Sequence, residues 1–136
     1  MKDIPQELDW VNERAKCDIK KAFEHLRQAV QKDVEQYNTQ SGLQSHYPIE
    51  FSSEPNWLFS VVRRSNLVKA TVFNREGDHI EITLNAAAQQ PLKAVPVLTE
   101  TGHCKFRIEG EGDELLFEWQ LRRRVLEPLF FANLRV

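Results

Sequence analysis

The chain has 136 residues, 41% hydrophobic and 28% charged, which suits one globular domain large enough to bury its own core. Eighteen basic against twenty acidic side chains leave a net charge of −2, so nothing draws the chain as a whole to phosphate backbones, and nucleic acid is not an expected partner. No stretch nears the ~20 apolar residues of a membrane span, and Cys17 and Cys104 are too few for a disulfide scaffold, so a reduced cytoplasmic setting without membrane contact is expected.

Met1 to Pro5 has no apolar run behind its lysine and does not read as a secretory signal. From Pro5 to about Gln40 the pattern is that of one long amphipathic helix. Leu8, Val11, Ala15, Ile19, Ala22, Leu26, Val30, Val34 and Tyr37 recur in steps of three and four, with Phe23 on the border of the stripe. Asp3 or Ile4 would cap the start, with Pro5 in the first turn, and Gly42 could close the end. At 1.5 Å per residue, ~35 residues extend ~50 Å, against a radius of gyration near ~14 Å for such a chain. The helix must therefore bend, break, or project past its own sheet into a partner, and projection is the favoured expectation. Trp10 lies about 180° from the stripe, and Cys17, two turns on, shares that side with Arg14, Lys21 and Gln28. Either Leu129-Phe130-Phe131 covers this side, or it is a contact surface, or Trp10 is simply exposed.

After Tyr47 the period changes from 3.6 to 2. Ile49 to Phe51 reads as a short edge strand. Trp57 to Arg64 is a second strand, with Trp57, Phe59 and Val61 on one face and Leu58 and Val62 on the other. A turn at Ser65-Asn66 leads into Leu67 to Asn74. Another at Arg75 to Asp78 leads into His79 to Asn85, where Ile80, Ile82 and Leu84 alternate cleanly with polar residues. Ala86 to Gly102, interrupted by Pro91 and Pro96, reads as a long connection. A final hairpin follows, with Cys104, Phe106 and Ile108 inward on one strand. Leu115, Phe117, Trp119 and Leu121 are inward on the other, which runs from Glu114 to Arg122. The repeated Glu-Gly-Asp at residues 76–78 and 111–113 reads as turn chemistry, with a duplicated hairpin as the alternative. A short helix from Pro128 would close the chain.

These elements define an α+β fold: a long N-terminal helix (1–42) on an antiparallel sheet of five to six strands (47–122), with a short C-terminal helix in 125–136, all in one domain. Leu58, Val62, Phe73 and Leu116 give both sheet faces apolar groups, so the outer face is expected to be covered by the C-terminal segment or a second subunit.

Reaction chemistry is hard to find. His25, His46, His79 and His103 have no second ligand at a recognised spacing, so no metal is expected. No cofactor motif or nucleophile elbow is present either. Cys104 reads as a small buried hydrophobe and Cys17 as the exposed, reactive thiol. Arg63, Arg64, Arg122, Arg123 and Arg124 end two strands and could form one rim for an anion or acidic partner, although alternation would split them between faces.

The leading expectation is a non-catalytic cytoplasmic interaction module, homodimeric or with a heterologous protein partner. Contact would be made through Trp10, Arg14, Cys17, Phe130 and Phe131. The alternative is a pocket protein, even an enzyme, with a small ligand enclosed by Trp57, Phe59, Phe106, Phe117 and Trp119 between helix and sheet. A third reading is a chaperone or inhibitor of one partner.

Overall fold

The computed structural model describes residues 7–40, 49–63, 68–75, 78–85 and 90–131. The helix start expected at Asp3 to Pro5, its closure at Gly42, the Ser65-Asn66 turn, and residues 132–136 lie outside them.

The N-terminal segment forms two helices, α1 (Trp10–Lys16) and α2 (Ile19–Thr39). This corrects the single rod. Asp18 begins the second helix by accepting a hydrogen bond from the Lys20 N–H at 3.2 Å, and Cys17 is withdrawn from the helical pattern by a disulfide to Cys104. At ~1.5 Å per residue, the 21 residues of α2 extend about 30 Å, a length the body of the fold can support. The mismatch between rod and domain is thus resolved by a break. Only α2 delivers the stripe to the core, through Ala22, Phe23, Leu26, Val30, Val34 and Tyr37, whereas no residue of α1 is buried. The disulfide also corrects the reading of Cys17 as an exposed thiol: it is 1% exposed, and neither cysteine is free.

The sheet is a seven-stranded antiparallel meander, in the order of the chain: β1 (Ile49–Ser52), β2 (Leu58–Arg63), β3 (Val68–Arg75), β4 (His79–Leu84), β5 (Leu92–Leu98), β6 (Cys104–Ile108) and β7 (Leu115–Leu116). The α+β class holds, with seven strands where five to six are expected. The additional strand is β5, inside the supposed connection. Its Pro96 pairs with Phe106, and the Thr99 N–H bond to the His103 carbonyl sets the alternation, so Pro96 falls at a position without a bond to β6. Toward β4 the pairing has already ended at Ala94, and proline removes no ladder bond there either.

β7 ends after two residues, and α3 (Glu118–Phe131) occupies what alternation assigns to the last strand. Phe117 stands before the first turn, and its N–H bonds to Gln120 Oε1 at 2.8 Å, which is how a capping side chain starts a helix. Leu116, paired with Phe106, faces the core, so the inward set of Leu115, Phe117, Trp119 and Leu121 is wrong by one residue except for Leu121, which is buried as a helical residue. The C-terminal helix therefore begins ten residues before Pro128, which lies inside it.

Both α2 and α3 pack on the same face of the sheet. Their apolar sides meet Phe59, Val61, Ala70, Val72, Ile80, Ile82, Ala94, Phe106 and Ile108 in one core cluster. The opposite face carries Thr71, Thr83, Glu81, Lys93 and Arg107, with half-buried Leu58, Val62 and Phe73 among them. The described part of the C-terminal segment, residues 125–131, packs in the core on the inner face instead of covering the outer one.

Candidate functional site

The outer surface of the helical layer displays large apolar side chains on a helix anchored in the core, α3. Leu121, Val125, Leu126, Leu129 and Phe130 face the core, at spacings of four, one, three and one. The remaining direction presents Trp119, Arg123, Glu127 and Phe131, an exposed row at intervals of four. Trp119 is 51% and Phe131 41% exposed. On one side of this row, toward α2, a groove of about 370 Å³ is lined by Asp33, Arg122, Leu126 and Phe130. Farther along α2, Tyr37, Gln36 and Gln40 line a groove of about 320 Å³ with Phe130 and Phe131. On the other side, Leu116, Gln120 and Arg124 border one of about 320 Å³.

α3 is held firmly. Arg63, only 2% exposed, reaches through the core from β2 and donates to the carbonyls of Leu129 and Phe130, each at 3.0 Å. A cation satisfying the last carbonyls of a helix is favourable for its dipole as well as its hydrogen bonds. Arg122 donates to both carboxylate oxygens of Asp33, at 2.8 and 2.7 Å, and its Nε lies 3.5 Å from Glu118. His25 meets the other oxygen of Glu118 at 2.5 Å, completing a chain of four side chains along the α2–α3 seam.

This arrangement corrects the arginine rim. Arg63 is interior and Arg64 lies outside the described residues. Arg122 is matched to Asp33, Arg123 to Glu127 at 2.6 Å, and Arg124 to both oxygens of Glu111 at 2.5 Å. Hydrogen bonding to Arg124 holds the Glu111 carboxyl below its ordinary range, and Glu127 raises the already high pKa of Arg123. Five guanidinium groups do not converge.

The expected aromatic pocket is also dispersed. Phe59 and Phe106 belong to the packed core. Trp57 is exposed and stacks on Phe73, while Phe117 lies against His103 with Lys105 above its ring. Trp119 stands on the outer side of α3. Two of the five are in the core and three are exposed, so they do not enclose one site.

Of the expected contact residues, Trp10 is 66% exposed on α1, where it shares a shallow recess with Val11, Arg14 and Lys21. Cys17 is in the disulfide and Phe130 is in the core, so only Trp10, Arg14 and Phe131 remain for contact. Leu8 packs over Gly102, whose φ is 86°, and a Cβ there would come within 2.9 Å of Leu8 Cδ1. That contact and the disulfide dock α1 near the β5–β6 turn.

One polar cluster lies on the outer sheet face. His79 Nδ1 meets Asp78 at 2.6 Å, its Nε2 is 3.8 Å from Glu81, and Arg75 bonds Glu81 at 2.7 Å. The arrangement orients an imidazole, yet among the described residues no three His, Cys, Asp or Glu groups are placed to hold a metal ion. None of the helices described is long and apolar enough to cross a membrane.

Sequence reasoning misses Trp119 as an exposed helical residue and the Arg123–Glu127 pair as a helical one. The i,i+4 spacing of that pair is a readable signal once residues 118–131 are assigned to a helix. Comparison with known protein families, with curated proteins and with solved structures finds no match to this chain.

Proposed function

We propose that this chain is a non-catalytic protein-interaction module that acts as a homodimer, with the outer side of α3 as its contact surface. The observation that carries the reading is the pair Trp119 and Phe131, half-exposed on a helix whose other side is locked into the core. Large aromatic side chains on a rigid support, beside grooves that can receive a partner's side chains, are the usual anchors of an interface. The Cys17–Cys104 bond favours a compartment where thiols are oxidised over the reduced cytoplasm expected from composition.

Size-exclusion chromatography with light scattering, from about 1 to 500 µM, tests this reading. These concentrations bracket the range in which a small interface associates. The mass should rise from the 15.9 kDa of one chain toward twice that value. A constant 15.9 kDa throughout contradicts the proposal.

A further inference from the structure

The exposed row on α3 is self-complementary. Trp119 and Phe131 lie six positions before and after Val125, and Arg123 and Glu127 lie two before and two after. When two copies of one helix cross antiparallel about a two-fold axis, residues equally far from the axis on opposite sides face each other. An axis on the outer side of α3, level with Val125 along the helix, therefore sets Trp119 against the second copy's Phe131, and Arg123 against its Glu127, each pair occurring twice. Aromatic meets aromatic at about 9 Å on either side of the axis, and cation meets anion at about 3 Å, at 1.5 Å per residue.

The shape agrees with the charge. A row at intervals of four is the ridge that packs into the matching groove of a second helix, with a crossing near −50° when both use the same row. Here the ridge stands between the groove toward α2 and the groove beside β7, so each copy offers both parts. Arg122 and Arg124 are engaged by Asp33 and Glu111 of the same chain and add no uncompensated positive charge to the contact. α1 offers no such symmetry: its seven residues carry Trp10 and Val11 at one end and Arg14 and Lys16 toward the other.

We infer that this chain pairs with a second copy through an isologous contact between the outer sides of α3, centred level with Val125, in which Arg123 and Glu127 exchange partners between subunits. The inference rests on the homodimer reading above and specifies its surface. A contact of one helix row falls at the small end of interface sizes, which sets dissociation in the micromolar range.

Sedimentation equilibrium of the full chain, with Arg123→Glu, Glu127→Arg, their double variant, and a mixture of the two single variants, tests it. Each single variant places like charges across the axis twice and should dissociate at least about fivefold more readily. The double variant should regain association. The mixture should form a heterodimer in preference to either homodimer, because both cross-pairs are again opposite in sign. Loss of association in the single variants without recovery in the mixture would mean that the charges act only within their own helix, and would overturn the inference. A wild-type dimer indifferent to every charge change would overturn it too, while leaving the homodimer reading in place. A wild-type monomer would remove both. Trp119→Ala, which changes no charge, should weaken the wild-type dimer at least about tenfold, and an unweakened dimer would count against the contact.

Discussion

α1 and α3 both display an exposed tryptophan, and they do so for different physical reasons. α1 buries nothing, and it is docked by a disulfide at its last turn and by Leu8 over Gly102. Its apolar surface is that of a short element without a seat. α3 buries five apolar residues, takes a buried arginine at its end, and shares the Arg122–Asp33 bridge with α2. Its exposed row is thus presented at fixed spacing, and a partner need not pay to order it. The contrast teaches that an exposed large side chain supports a proposed contact surface only when the element beneath is rigid and the neighbouring charges are complementary.

Reduction is the most severe way to break this contrast. The disulfide closes a separation of 87 residues, and its loss should lower unfolding free energy by about 2–4 kcal/mol. The helix α1 should lose hydrogen-exchange protection before α2 and α3 do. Denaturant melts with and without a dithiol measure the first effect, and identical midpoints would contradict the assignment of the bond.

A smaller effect separates the helical layer from the outer sheet face. Hydrogen bonding to Arg75, with the nearby charges of Arg75 and His79, outweighs desolvation and holds the Glu81 carboxyl below the 4.5 of a free glutamate. A carboxyl lowered in the folded state stabilises the fold above its unfolded value, and that contribution is lost as pH falls through the lower folded value. Stability should therefore decline below about pH 4.5, and Glu81→Gln should remove part of the decline, under about 1 kcal/mol, without touching association. Thermal melts of both proteins from pH 6 to 3 check this; parallel pH profiles would contradict it.

Much of the sheet was legible because alternation is a local signal. Phe59 and Val61, Ile80 and Ile82, and Phe106 and Ile108 face the core as their spacing requires. The stripe of α2 was equally legible from Ala22 to Tyr37. The break at Cys17 was not, because the three-and-four rhythm continues through it and the disulfide partner is distant in sequence. Around Leu121 two rhythms overlap: alternation with Leu115, Phe117 and Trp119, and helical spacing with Val125, Leu126 and Leu129. The deciding signal there was the cap at Phe117 and Gln120 rather than the apolar pattern. Arg63 sits on an inward position of β2, and the carbonyls at the end of α3 that help make its burial tolerable are a tertiary fact. The exposed row of α3 followed the same course, since Trp119 reads as a core strand residue until its segment is a helix.

The difference between the two exposed tryptophans of the helices can be measured in one experiment: the concentration dependence of mass, by light scattering, for Trp10→Ala and Trp119→Ala beside the wild type. The account predicts that Trp10→Ala associates as the wild type does, and that Trp119→Ala remains near the single-chain 15.9 kDa where the wild type has paired. Pairing lost with Trp10 and kept without Trp119 would contradict it.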